Sequence, residues 1–279
     1  YRVHRYVVGE SADADATDAL GDFERFPRWM WRNEEVVRFV AWMRARNDAQ
    51  APSARTGFYG LDLYSMYRSA EAVVDYLEKV DYEQARLARA QYAALDHVRA
   101  PERYGYEAAY GLRADCRDAV RSRLVELVRR APVYLADDGI AAEAAHFFAA
   151  QNAHVVANAE AYYREMFAGR SASWNRRDLH MTDTLIALRA HLRNLGRAGR
   201  IVVWAHNSHL GDARATEMAR AGEWNVGQLV REREGEASVS IGFTTCTGTV
   251  TAAREWDGPA ERRGILPALP DSYEDVFRR

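Results

Sequence analysis

Lysine is all but missing from this sequence: of its 38 basic side chains, Lys79 alone is not arginine. A phosphate-cradling loop built on glycines and a lysine is therefore excluded, because Lys79 stands in Leu77-Glu78-Lys79-Val80 with no glycine near it. Its place on a charged helix face also argues against Schiff-base chemistry. Cysteine is nearly as scarce. Cys116 and Cys246 are too few for a zinc finger or a disulfide scaffold, and they suit a reducing, cytoplasmic setting. No apolar run approaches the roughly 18 residues of a membrane span, and no signal-peptide pattern opens the chain. Charge of one sign is lacking too, with 38 basic against 40 acidic residues and a net charge of -2. That balance gives no electrostatic case for nucleic acid or an anionic membrane as partner. What is present is length and apolarity: 279 residues, 48% hydrophobic, suffice for one or two globular domains with a sizeable core.

Hydrophobic spacing predicts many helices and few strands. Asn33 reads as the N-cap of a helix carrying Val36, Val37, Val40 and Met43. Ala70, Val73, Val74 and Leu77 form the inner stripe of another, and Asp81 with Gln84 caps the next, expected to run to about Val98. Residues 99–111, with Pro and Gly and no period, read as a loop. A helix marked by Val120, Leu124, Leu127 and Val128 stops at Pro132. Residues 141–167 form an alanine-rich helix, and a Gly/Ser turn at 169–173 leads to one carrying Met181, Leu185, Leu188 and Leu192. Three β-prone runs stand out at residues 56–63, 201–204 and 238–245, with a weaker one at 248–252. Apolar runs separated by helices suggest strands buried on both faces. The expected architecture is a helix-rich α/β fold, a small, mostly parallel sheet with a large helical insertion at about 64–198. Residues 1–256 form the domain and 257–279 a tail without core stripe or cap.

Function in such sheets gathers beyond the carboxyl ends of the strands, here Asp62, His206 to His209, and Thr244 with Thr245. Two histidines and an asparagine directly after a buried strand are the sharpest chemical feature. A neutral imidazole can take a proton from water near pH 7, and the Asn207 amide can orient a ring or meet an oxyanion. His-x-x-His also admits a metal, with Asp62 or a group outside the chain as third ligand. A structural, hydrogen-bonded histidine is the third alternative. Asp178 continues the inward stripe of the Met181 helix, so its carboxylate must be paired, hydrogen-bonded or functional. Arg177 points about 100° away and serves a different neighbour. His154 and Asn158, one turn apart, face either a cleft or the core. Phe26, Trp29, Met30 and Trp31 read as a packing knot or, if exposed, as a cradle for an apolar ligand. The Gly227-Gln228 step reads equally as a ligand-facing loop or a helix start. No Gly-rich phosphate fingerprint and no Gly-x-Ser-x-Gly elbow occur, so neither a nucleotide cofactor nor a covalent nucleophile is indicated.

Several segments together carry a resemblance. Residues 202–216 (VVWAHNSHLGDARAT), 174–185 (WNRRDLHMTDTL), 225–231 (NVGQLVR), 25–33 (RFPRWMWRN) and 57–69 (GFYGLDLYSMYRS) resemble blocks of the erythromycin esterase family, in the same order. The resemblance implies a metal-independent, cofactor-free hydrolase whose histidines activate water against a small-molecule ester or lactone, in known members the lactone of macrolides. It assigns catalysis to His206 and His209, with His206 as general base or transition-state stabiliser. Asn207, Asp62, Arg177 and Asp178 become supporting or substrate-binding residues. One departure stands against the family pattern. A Gly-Glu-x-x-His segment is expected near the N-terminus, and the nearest string here is Gly9-Glu10-Ser11-Ala12-Asp13. The expectation is that the segment precedes Tyr1 and that these 279 residues alone turn over little or no substrate. A non-catalytic homologue that binds a ligand or partner, and a metal-dependent hydrolase, remain the alternatives.

Overall fold

Side-chain caps mark where several helices begin, and buried stripes show what they cover. The computed structural model describes residues 1–96, 101–112, 116–135, 139–167 and 169–278. It divides into two compact units, residues 1–60 with 241–279, and residues 61–240.

In the first unit, helices Arg2–Val8 and Glu34–Asp48 pack through Val7, Leu20, Val36 and Val40. The Asn33 side chain accepts from Val36 N–H at 2.8 Å, the expected cap. Asn47 is buried without penalty. Its amide donates to the carbonyls of Val7 (2.7 Å) and Thr56 (2.8 Å), and its oxygen accepts from Thr56 N–H (2.8 Å). Gly9 closes the first helix with φ +85°, a left-handed cap that glycine takes without steric cost. Glu10 follows that cap, and Asp13 accepts from Arg2 Nε at 2.9 Å. Strands β1 (Gly248–Ala252) and β2 (Glu261–Ile265) pair antiparallel, from Gly248 opposite Ile265 to Ala252 opposite Glu261.

The second unit is helical. Helix Gly139–Glu165 packs against helices Met66–Val80, Pro101–Ala109, Arg117–Arg129 and Arg170–Asn194. Its buried alanines, Ala149, Ala153 and Ala159, keep those approaches short, and the stripe Ala70, Val73, Val74 and Leu77 is buried as expected, on the helix that packs against it. Asp81 Oδ1 accepts from Gln84 N–H at 3.1 Å, the expected cap of helix Tyr82–Asp96. Lys79 is exposed in the last turn of helix Met66–Val80.

The sheet corrects the sequence reading. Among the described residues the only strand pairing is the antiparallel β1–β2 ladder, so the mostly parallel sheet is not present. Of the four β-prone runs only the weakest, at 248–252, is a strand. Residues 56–63, 201–204 and 238–245 run without strand pairing, and Val202 is 95% exposed. β-propensity measures the fit of a side chain to a pleated, half-buried surface, and these runs meet no neighbouring strand to supply one. The loop expected at 99–111 is helix over Pro101–Ala109. Proline in the first helical position was the signal, since its fixed φ suits a helix start. Residues 99–100 and Val98 lie outside the described residues. The tail at 257–279 carries β2 and helix Tyr273–Arg278. No described helix is long and apolar enough to cross a membrane.

Candidate functional site

Helix Arg170–Asn194 organises the site by sending neighbouring side chains in different directions. Arg177 grips Asp62 with two bonds, Nε to Oδ1 at 2.9 Å and Nη2 to Oδ2 at 2.7 Å. Its guanidinium lies 4.7 Å from the centroid of the Tyr64 ring. Asp178, next along, is fully buried and turns to His209, whose Nδ1 stands 2.9 and 3.0 Å from the two carboxylate oxygens. Asp178 Oδ1 also accepts the backbone N–H of Val226 at 3.1 Å. The two residues therefore serve different partners, as their helical angle requires.

Two further layers hold His209. Trp174, one turn before Asp178, stacks on the imidazole with centroids 4.7 Å apart and planes 4° from parallel. The indole is itself fixed by Nε1 donating to the Trp224 carbonyl at 2.8 Å. Asn225 caps helix Val226–Glu234 through Gln228 N–H (2.9 Å) and donates to the Ser208 carbonyl (2.7 Å). Residues 174–185, 202–216 and 225–231, far apart in sequence, thus converge on one imidazole.

The two histidines are held in opposite tautomers. A carboxylate only accepts, so Nδ1 of His209 carries the hydrogen and its Nε2 keeps a lone pair in the neutral ring. His206 caps the four-residue helix Asn207–Leu210, and its Nδ1 accepts the Ser208 backbone N–H at 3.1 Å, with Ser208 Oγ at 2.9 Å. A backbone N–H only donates, so neutral His206 carries its hydrogen on Nε2. His206 and Asn207 are exposed, whereas His209 is 7% exposed.

Of the residues singled out from sequence, Asp62, Arg177, Asp178 and His209 share one electrostatic neighbourhood. The His206 ring bonds Ser208, while the His206 carbonyl accepts the His209 backbone N–H at 2.9 Å. Thr244, in the first unit, donates to Glu274 Oε1 at 2.8 Å. Phe26, Trp29 and Met30 are not a closed knot: with Trp256 they line a cleft of about 410 Å³ in the first unit. Among the described residues no group of three or more His, Cys, Asp and Glu is arranged to hold a metal ion. Trp174, Asn225 and His180 escaped notice as individual residues. His180 continues the Arg177 face at i+3, a spacing that could have flagged it.

Burial alone would raise the Asp62 carboxyl, but the bonds and charge of Arg177 outweigh it and leave its pKa below the usual value. A depressed carboxyl contributes stability above its unfolded pKa and loses it as pH falls through the native one. Arg177→Met is therefore expected to cost about 1–3 kcal/mol at pH 7, less than for a fully buried pair, and less again near pH 3. Denaturant unfolding at both pH values checks this.

Burial pushes His180 down to about 4, against the opposing pull of Asp62 and with a smaller push from His154. Between about pH 6.5 and 4 the unfolded state then binds the extra proton, so stability drops as the pH is lowered across that window. His180→Phe is expected to flatten the stability profile there, read by thermal unfolding at successive pH values.

The helical unit thus presents a buried carboxylate–imidazole pair and a second, exposed imidazole. The chain belongs to the erythromycin esterase family, whose model matches residues 1–279. Its fold is similar to that of a Bacillus cereus protein of known crystal structure, at TM-score 0.77 and 15% identity over 99% of this chain and 62% of that one. It is also similar to a succinoglycan biosynthesis protein, at TM-score 0.67 and 16% identity over 96% and 60%. The chain thus spans less than two thirds of the length of these solved structures.

Proposed function

We propose that the site hydrolyses an ester or lactone of a small molecule, with His209 as general base and His206 as oxyanion donor. The opposite tautomers support this division of labour. His209 Nε2 takes a proton from water while the water oxygen attacks the carbonyl carbon, and Asp178 stabilises the imidazolium that forms. The negative charge that grows on the carbonyl oxygen is met by His206 Nε2–H. As the carbonyl re-forms, the bond to the alkoxide breaks and the His209 proton leaves with it, giving a carboxylic acid and an alcohol. Arg177 and Asp62 hold the helix face from which Asp178 projects. Family membership supports the reaction class, and macrolide lactones are the substrates to try first.

The test is turnover of p-nitrophenyl acetate and of a macrolactone by the protein as it occurs naturally. His209→Ala is expected to lower kcat by about 10³-fold, and His206→Ala by about 10²–10³-fold. Unchanged turnover in both variants would remove the assignment. A second reading, a ligand-binding homologue without catalysis, draws support from the burial of His209 beneath Trp174. Saturable lactone binding without any product would favour it.

A further inference from the structure

His180 has no role in the proposed chemistry, yet its ring is closely specified. Asn158, on helix Gly139–Glu165, places its Nδ2 3.1 Å from the His154 carbonyl and 3.1 Å from His180 Nδ1. A carbonyl oxygen only accepts, which fixes the amide nitrogen, not the amide oxygen, toward both partners. One amide hydrogen goes to His154 and the other to His180. Nδ1 of His180 therefore accepts, and the neutral ring must carry its own hydrogen on Nε2. The ring is neutral at physiological pH because burial, the largest influence, holds it down to about 4. Asp62 opposes that shift and His154 adds to it, while His154 in turn feels Asp183.

The side chain is 2% exposed, and Nε2 meets no hydrogen-bond partner among the described residues. A phenylalanine ring would fill similar space without a stranded donor. Position narrows the class of partner. His180 follows Arg177 by one helical turn and lies within electrostatic reach of Asp62. The Arg177 charge is already matched by Asp62, which disfavours a carboxylate or phosphate at this face. A neutral oxygen is the acceptor that fits.

We propose that His180 Nε2–H is the donor of an internal oxygen site, holding a neutral carbonyl, hydroxyl or water oxygen near the Asp62–Arg177 pair. This rests on the tautomer and on burial, and stands independently of the hydrolase reading.

Histidine-¹⁵N NMR of the 279-residue chain at neutral pH, with γ-butyrolactone as the carbonyl probe, tests it. His180 Nδ1 is expected at an unprotonated, pyridine-type shift and Nε2 at a protonated, pyrrole-type one. Cross-relaxation from Nε2–H to a long-lived water identifies water as the occupant. A saturable shift of Nε2–H with lactone, lost in His180→Phe, identifies a ligand oxygen. The Nδ1–H tautomer, or an Nε2–H that shows neither contact, overturns the proposal. The wild-type spectra decide the tautomer and the water contact even if the variant fails to fold.

Discussion

Asp178→Asn is expected to lower kcat for ester hydrolysis by about 10³–10⁴-fold while KM changes little. The geometry gives the reason. Oδ1 of Asp178 accepts the backbone N–H of Val226, and an asparagine in the same pose must keep its oxygen there. Its amide nitrogen takes the Oδ2 place, 3.0 Å from His209 Nδ1, where it competes with the retained oxygen at 2.9 Å for that ring nitrogen. The negative charge that would stabilise the imidazolium is gone in either case, so the base is weakened. Fold and substrate contacts survive, so the loss falls on kcat. Steady-state kinetics of the variant, with ¹⁵N shifts of His209 to read the tautomer, check the prediction. Activity within tenfold of wild type would refute His209 as base.

Gly227→Ala carries the largest expected effect on stability, a loss of about 3 kcal/mol or more. A Cβ at Gly227 would lie 2.2 Å from the carbonyl oxygens of both Leu210 and Gly211, and backbone cannot swing aside as a long side chain can. The start of helix Val226–Glu234 would have to retreat from helix Asn207–Leu210. That retreat would pull Val226 N–H from Asp178 and Asn225 from the Ser208 carbonyl, both of which position His209. Thermal unfolding should show a fall of several degrees, together with reduced ester turnover. A melting temperature within about a degree of wild type would show that the close approach is not required.

The helices were legible because their signals are local. Asn33 and Asp81 cap as their side chains dictate, and the Ala70 to Leu77 stripe buries the face that its spacing selects. The strands were not, because a run such as Ile201 to Trp204 states a preference that only a neighbouring strand can satisfy. The inward position of Asp178 could be read from its distance to Met181 and Leu185. Its partner could not, since His209 lies 31 residues away and reaches it through a turn whose path the sequence does not encode in any short pattern. Gly227 was ambiguous for a related reason. A glycine needed for close approach looks, in sequence, like one needed for a turn. The spacing of His180 from Arg177 marks a shared helix face, but nothing local names Asn158, 22 residues away, as its partner.

The single ammonium on a side chain has a practical corollary. Lys79 is exposed in the last turn of helix Met66–Val80, and every other basic side chain is a guanidinium. Acylating and crosslinking reagents that seek side-chain amines will find one address, placed within the second unit, whose modification leaves every arginine ion pair untouched. A fluorophore or spin label attached there would report on that unit from a known helix end.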